Sequence, residues 1–189
     1  MRTGAINLQS VARPDFDLLM RWIDSRSTLC KWAGGRFVFP LDEAQLERYL
    51  ARTAEPRRFR FMSYAGEPDP APLGYFEVAE FDVAVDSAYF WLVLLAPEFR
   101  GRGFGAAMLD AALAKCFDEL RLHRVGVRVF DSNEAALACY EKVGFVREGV
   151  LREAGRYGRD RRDLVVLSVL EDEWRGRRRL PGVPVEQTA

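Results

Sequence analysis

Nine residues of this chain, Phe99-Arg100-Gly101-Arg102-Gly103-Phe104-Gly105-Ala106-Ala107, have the types and spacing of a phosphate cradle. Glycine has no Cβ, so the backbone at these positions can approach a ligand closely. The alanine-rich pattern that follows reads as a helix. Its first amides have no internal partner, and its dipole favours negative charge at that end. Arg100 and Arg102 add formal positive charge at the same spot. Further along, Asn133 and Tyr140 stand seven residues apart, two helical turns, and so share one helix face.

The surrounding pattern supplies the elements that must hold these residues. Ala88 to Leu95 reads as an apolar strand feeding the turn, and Gly103 to about Leu120 as the helix leaving it, with Leu109, Ala112, Leu113, Cys116 and Leu120 on one stripe. Upstream, Ile6–Val11, Arg57–Tyr64 and Leu73–Phe81 read as strands. The short connections between the later strands imply antiparallel hairpins. Helical patterns run from Asp15 to about Ser25 and from Asp42 to a stop at Pro56. Downstream come a strand at His123–Phe130, a helix at Asp131–Lys142 and strands at Phe145–Glu148 and Asp163–Leu170. Asp131 with Glu134 suggests a capping box, and Gly144 a left-handed helix end. The order is α+β, a mixed α/β chain with a single domain over residues 1–174. The Arg-, Gly- and Pro-rich residues 175–189 are expected to fray.

Composition narrows the function. Lysine plus arginine equals aspartate plus glutamate at 28 each, and general nucleic-acid binding needs a large positive field. No apolar run approaches the ~20 residues of a membrane helix. Met1 to Asn7 lacks the apolar stretch of a signal peptide. Three cysteines, Cys30, Cys116 and Cys139, at irregular spacing argue against a disulfide framework or a zinc site. The expectation is a cytoplasmic protein, monomer or homodimer, with no metal, no nucleic-acid partner and no membrane partner.

Three phosphate ligands compete for the turn. A P-loop requires Lys and Ser or Thr after the last glycine, and Ala106-Ala107 stands there instead. Gly101-x-Gly103-x-x-Ala106 fits the relaxed dinucleotide pattern of a nicotinamide-dependent reductase. The hairpin-like strands before it argue against the parallel sheet such a domain needs. The third reading is coenzyme A. Arg100-x-x-Gly103-x-Gly105 resembles the R/Q-x-x-G-x-G/A turn of the GNAT acetyltransferase superfamily, and Asn133 to Phe145 resembles its N-x6-Y-x-K-x-G-F segment. The clear resemblance covers Leu73 to Trp174 and is nearest to the ribosomal-protein and polyamine acetyltransferase-like branch. It implies the GNAT fold, a mostly antiparallel twisted sheet of about seven strands flanked by about four helices.

The resemblance also implies a reaction: a neutral primary amine attacks the thioester of acetyl-CoA, the cosubstrate, in a ternary complex. By resemblance, Arg100, Gly101, Arg102, Gly103, Phe104 and Gly105 hold the pyrophosphate, with the Phe104 side chain read in preference as a helix-core contact. Backbone around Leu94, Leu95 and Ala96 pairs with the pantetheine arm and supplies an oxyanion donor. Asn133 binds that arm, and Tyr140 protonates the leaving thiolate, a phenol being protonated at neutral pH. Spacing alone assigns Tyr140 to a core stripe, because Leu137 shares its face.

Many family members carry a glutamate on the strand entering the turn. Ala88 to Leu95 has no acid, so Glu77 and Glu80 on the preceding strand are the substitute bases, Glu77 first, facing opposite sides by strand parity, unless the amine loses its proton to water. His123 reads as structural. The resemblance places acceptor recognition in the first two helices and Lys31–Pro40, with Trp22, Trp32, Phe37 and Phe39 as pocket or core. Small-molecule and peptide amines both fit, as polyamine, peptide N-terminus, amino acid or amino sugar. A non-catalytic acyl-CoA sensor on the same fold is the alternative that the missing strand acid keeps open.

Overall fold

Alternating and apolar segments come together as one sheet. The computed structural model describes residues 5–52 and 57–179. Its strands are β1 (Ile6–Ser10), β2 (Phe59–Ala65), β3 (Ala71–Asp82), β4 (Ser87–Leu95), β5 (Arg124–Phe130), β6 (Val146–Tyr157) and β7 (Asp160–Leu170). They lie in the order β1-β2-β3-β4-β5-β7-β6. Only β4 and β5 run parallel; the other neighbours are antiparallel. A dinucleotide-binding unit needs a mostly parallel sheet, so the reductase alternative fails on topology.

Six helices, rather than about four, flank the sheet among the described residues: α1 (Phe16–Trp22), α2 (Arg26–Ala33), α3 (Glu43–Arg52), α4 (Phe104–Ala114), α5 (Glu134–Lys142) and α6 (Glu171–Arg179). The single helix expected over residues 15–25 ends at Trp22. Ser25 then caps a second one, its Oγ accepting from the Thr28 amide at 3.1 Å. The expected fraying also starts too early in the sequence reading. Residues 175–179 continue α6, where Arg175 pairs with Asp118 at 2.7 Å and Arg177 donates to the Lys142 carbonyl at 2.8 Å. Residues 180–189 and Pro56 lie outside the described residues. At α5 the cap residue is Asn133, not Asp131, whose Oδ1 accepts from the Ser132 amide instead. Gly144 does end that helix in the left-handed region, at φ +109°.

The sheet is covered on both faces, which is why β4 is apolar throughout rather than alternating. Phe76, Phe90, Leu113, Phe117 and Leu167 pack on the α4–α5 side. Leu19, Leu29, Met62, Tyr75 and Leu94 pack on the α1–α3 side. No described helix is long and apolar enough to cross a membrane.

Two local features open the sheet at its centre. The β4–β5 ladder stops at Phe90↔Val127, so Trp91–Leu95 has no strand partner on that side. The β3–β4 register shifts between Tyr75↔Leu94 and Glu77↔Trp91, which puts one extra residue in β4, a bulge. Leu92 sits there at φ +47°. Trp32 braces it: the indole Nε1 donates to the Leu92 carbonyl at 2.6 Å. Gly74 on β3 admits the displaced strand, since a Cβ there would lie 2.4 Å from the Leu94 carbonyl oxygen.

Candidate active site

Where β4 leaves β5, the gap is filled by two cavities that share a wall. The first, of ≈ 600 Å³, runs from Leu94 and Leu95 to the glycine turn, between α4 and α5. The second, of ≈ 580 Å³, lies between Trp91, the splayed end of β5 and the β6 strand near Arg156. Each is of the size that holds a drug-sized ligand. Lys31, Trp32, Val93, Asn133, Ala136 and Tyr140 line both.

The glycine turn has the geometry a phosphate needs. Gly101 and Gly103 stand at φ +69° and +85°, and a Cβ at either would meet nothing within 4 Å. The turn therefore uses glycine for its left-handed backbone and faces open space. Gly103 caps α4, whose first amides point into that space. Arg100 is held by a 3.0 Å bond from its Nε to the Leu95 carbonyl, which leaves its terminal nitrogens free of that contact. Gly105 serves a different purpose: a Cβ there would lie 3.1 Å from Cys139 Sγ, so it lets α4 close on α5.

Three expected cofactor residues do not line the cavity. Ala96 is fully buried and donates its amide to the Leu73 carbonyl at 2.9 Å. Arg102 turns back, donating to the Glu98 carbonyl at 2.9 Å and lying over Phe99 and Phe104. Phe104 is a core residue, its ring 4.9 Å from that of Phe99. Leu94, Leu95, Arg100, Gly101, Gly103, Gly105, Asn133 and Tyr140 do line it.

Asn133 and Tyr140 meet at the shared wall. The Asn133 side chain makes no cap bond to α5. Tyr140 is 5 % exposed, packed against Phe145 at 5.2 Å, and burial holds its hydroxyl above the usual tyrosine range. That hydroxyl hydrogen-bonds to no described residue. The phenol keeps its proton at neutral pH, and the residue lines both cavities.

Glu77 is elsewhere. It is 0 % exposed and lines neither cavity. Its carboxylate accepts from Arg58 at 2.7 Å, from Tyr49 at 2.9 Å and from Tyr75, with Arg60 Nε at 3.5 Å. Burial, then the Glu77 charge, pushes the hydroxyls of Tyr49 and Tyr75 upward. That carboxylate is committed to four partners in the interior, away from both cavities. Glu80 does not face the opposite way as parity implied: its φ of +53° breaks the alternation, and it pairs with Arg128 at 2.9 Å. Neither cavity lining contains an Asp, Glu or His among the described residues.

Burial raises the thiols of Cys116 and Cys139, so both stay protonated, although Cys139 reaches the first cavity. His123 is exposed in the β4–α6 neighbourhood, its amide on the Asp86 carbonyl, and lines neither cavity. Of the four aromatics named for the acceptor, Trp32 lines the cavities, Trp22 is core, Phe37 stacks on Trp32 at 5.5 Å, and Phe39 packs against the same cluster. Sequence reasoning missed Trp91, Arg36 and Arg156. Trp91 sits in a run that reads as pure core, and the two arginines come together only through the packing of α2 against β6.

A model of the acetyltransferase (GNAT) family matches residues 26–145. The chain belongs to the GNAT acetyltransferases. Its class of reaction is acetyl transfer to an amine. The spermidine N(1)-acetyltransferase of Vibrio cholerae is 33% identical over 177 residues, 91% of this chain and 96% of that protein. An aminoglycoside N(6')-acetyltransferase type 1 of Klebsiella pneumoniae is 24% identical over 160 residues, 78% of this chain and 77% of that one. The crystal structure of the Vibrio cholerae spermidine N-acetyltransferase in complex with CoA and spermine superposes with a TM-score of 0.75 at 25% identity, covering 89% of this chain and 97% of that one. These relatives of the GNAT chain share acetyl transfer by name, while the acceptors that their names give differ.

Proposed function

We propose that the first cavity takes acetyl-CoA, the second takes a small-molecule primary amine, and the acetyl group passes directly between them across the shared wall. The observation that carries this reading is the position of Tyr140, buried, protonated and common to both cavities. The residues of the first cavity fit the donor. Arg100 and the amides at Gly101, Gly103 and Gly105 hold the pyrophosphate. The unpaired edge of β4 at Leu94 and Leu95 takes the pantetheine arm as an added strand and offers an amide to the developing oxyanion. Asn133 hydrogen-bonds the same arm.

The neutral amine nitrogen attacks the thioester carbon, and the carbon–sulfur bond breaks. The sulfur takes the Tyr140 proton, and Tyr140 recovers, through water, the surplus proton that the nitrogen carries after attack, so the protein ends as it began. With no carboxylate or histidine in either lining among the described residues, the amine must arrive deprotonated, and its own pKa governs how much of it is reactive. The missing base also leaves room for a second reading, a domain that binds acyl-CoA without turnover.

Thermal stabilisation by acetyl-CoA, followed by thiol release against a panel of primary amines, tests both. The expected result is stabilisation and turnover of at least one amine. Binding without turnover across the panel favours the sensor. No binding to acetyl-CoA refutes the placement of the donor.

A further inference from the structure

We infer that the acceptor amine carries an anionic group, a carboxylate or a phosphate, and that Arg36 and Arg156 hold it. The inference rests on the assignment of the second cavity to the acceptor. The charged residues lining that cavity are Lys31, Arg36, Arg128 and Arg156, with no Asp or Glu among the described residues. Arg128 is neutralised by Glu80 at 2.9 Å. Lys31, Arg36 and Arg156 have no described carboxylate within the 4.0 Å of an ion pair.

The two arginines are brought to one place by the fold. Arg36 follows the α2 C-terminus, and Arg156 lies on β6. Both border Gly34: a Cβ built there would stand 3.6 Å from the Arg156 carbonyl oxygen and 3.8 Å from Arg36 Nη1. Glycine at positions 34 and 35 keeps that corner open. Arg36 is preoriented, donating to the Ala33 carbonyl at 3.2 Å with its guanidinium 4.1 Å above the Trp91 ring. Water loss at this position weakens its hold on its proton, but an arginine remains charged at any working pH. Arg156 belongs to a basic hairpin: residues 152–162 carry five arginines against Glu153 and Asp160, and these two acids pair with Arg161 and Arg162.

A polycation meets three positive charges that are not ion-paired among the described residues, with only Arg36 in the field of Glu77 and Glu80, and this disfavours it. An amine with its own anion meets forked donors suited to carboxylate or phosphate. The same positive surroundings depress the pKa of the bound ammonium. That raises the fraction of neutral amine in a site with no base of its own.

Matched pairs test the inference. Phenylalanine is compared with phenethylamine, phosphoethanolamine with ethanolamine, and spermidine with both pairs, by thiol release with acetyl-CoA in the full-length enzyme. The expected result is a kcat/KM at least tenfold higher for the anionic member of one pair, and spermidine below it. The pair with the larger ratio identifies the anion. Arg156→Gln and Arg36→Gln each narrow that ratio about tenfold, mainly through the KM of the anionic member, and Arg156→Lys restores part of it. Preference for spermidine or for the neutral twins, with turnover intact, overturns the inference alone. Acetyl-CoA binding with no turnover of any amine overturns the acetyltransferase reading on which it rests.

Discussion

Glu77→Gln separates an anchor from a base. Glutamine keeps the shape of the side chain and removes its charge. In the fold the carboxylate is fully buried, and it faces Arg58 at 2.7 Å and Arg60 at 3.5 Å, side chains that are themselves only 10% and 15% exposed. Removing one partner of a buried ionic cluster leaves charge uncompensated and costs about 3–5 kcal/mol. For a chain of this size each kcal/mol moves Tm by roughly 2–4 °C. The expected fall is therefore about 6–20 °C by calorimetry or thermal fluorescence. A general base has a different signature: its loss lowers the chemical step by about 10²–10⁴. Measured well below the variant's own Tm, kcat is expected to fall by less than about tenfold, from loosening of β3 behind the bulge. A kcat loss of a hundredfold or more, with Tm shifted by under about 2 °C, would falsify the anchoring role and return Glu77 to the chemistry.

Tyr140→Phe removes only a hydroxyl that bonds to no described residue, so Tm and the Kd for acetyl-CoA are expected to hold while kcat drops about 10²-fold or more; an unchanged kcat removes Tyr140 from the mechanism. The pH profile of kcat/KM is expected to rise with unit slope until the acceptor's amine pKa and then stay flat to pH 10. Burial keeps the Tyr140 proton in place beyond the ordinary tyrosine range, so the acid form is not lost over that interval; a rise that stays put when acceptors of different pKa are exchanged points to a protein base. Gly74→Ala sets a Cβ 2.4 Å from the Leu94 carbonyl oxygen, and the backbone must shift, at about 1–3 kcal/mol in denaturant titration with weaker acetyl-CoA binding; stability equal to wild type means the bulge does not depend on this approach. Cys139→Ala is expected to keep turnover within a few-fold, and loss of activity together with a trapped acetyl-enzyme would establish a covalent route instead.

The glycine turn and the Asn133–Tyr140 helix were legible because their requirements are local. Gly101 and Gly103 adopt backbone angles that few other residues accept, so the sequence has to spell them out. Phe104 and Arg102 sat within the same motif, yet their side chains point to Phe99 and to the Glu98 carbonyl. A turn that offers its amides to a ligand says nothing about where its side chains go. The parity argument for Glu77 and Glu80 failed for a related reason. It assumes an unbroken pleat, and Glu80 at φ +53° is a break that no neighbouring residue type announces. Arg36 and Arg156 were invisible as a pair, because α2 meets β6 only when the whole sheet is assembled.

The bulge at Leu92 ties these threads together. A branched side chain in the left-handed region costs about 1–2 kcal/mol, and nothing in the apolar run Ala88–Leu95 asks for it. The strain persists because three distant residues fix it: Gly74 makes room on β3, Trp32 holds the Leu92 carbonyl from α2, and Glu77 pins the strand behind Trp91 through Arg58 and Arg60. Without the extra residue, β4 could continue its ladder with β5 beyond Phe90, and the two cavities would have no gap to share. The buried carboxylate that the sequence offered as a catalyst thus acts one step earlier. It ties β3 to Arg58, Arg60 and α3, beside the strand whose departure from β5 opens the site.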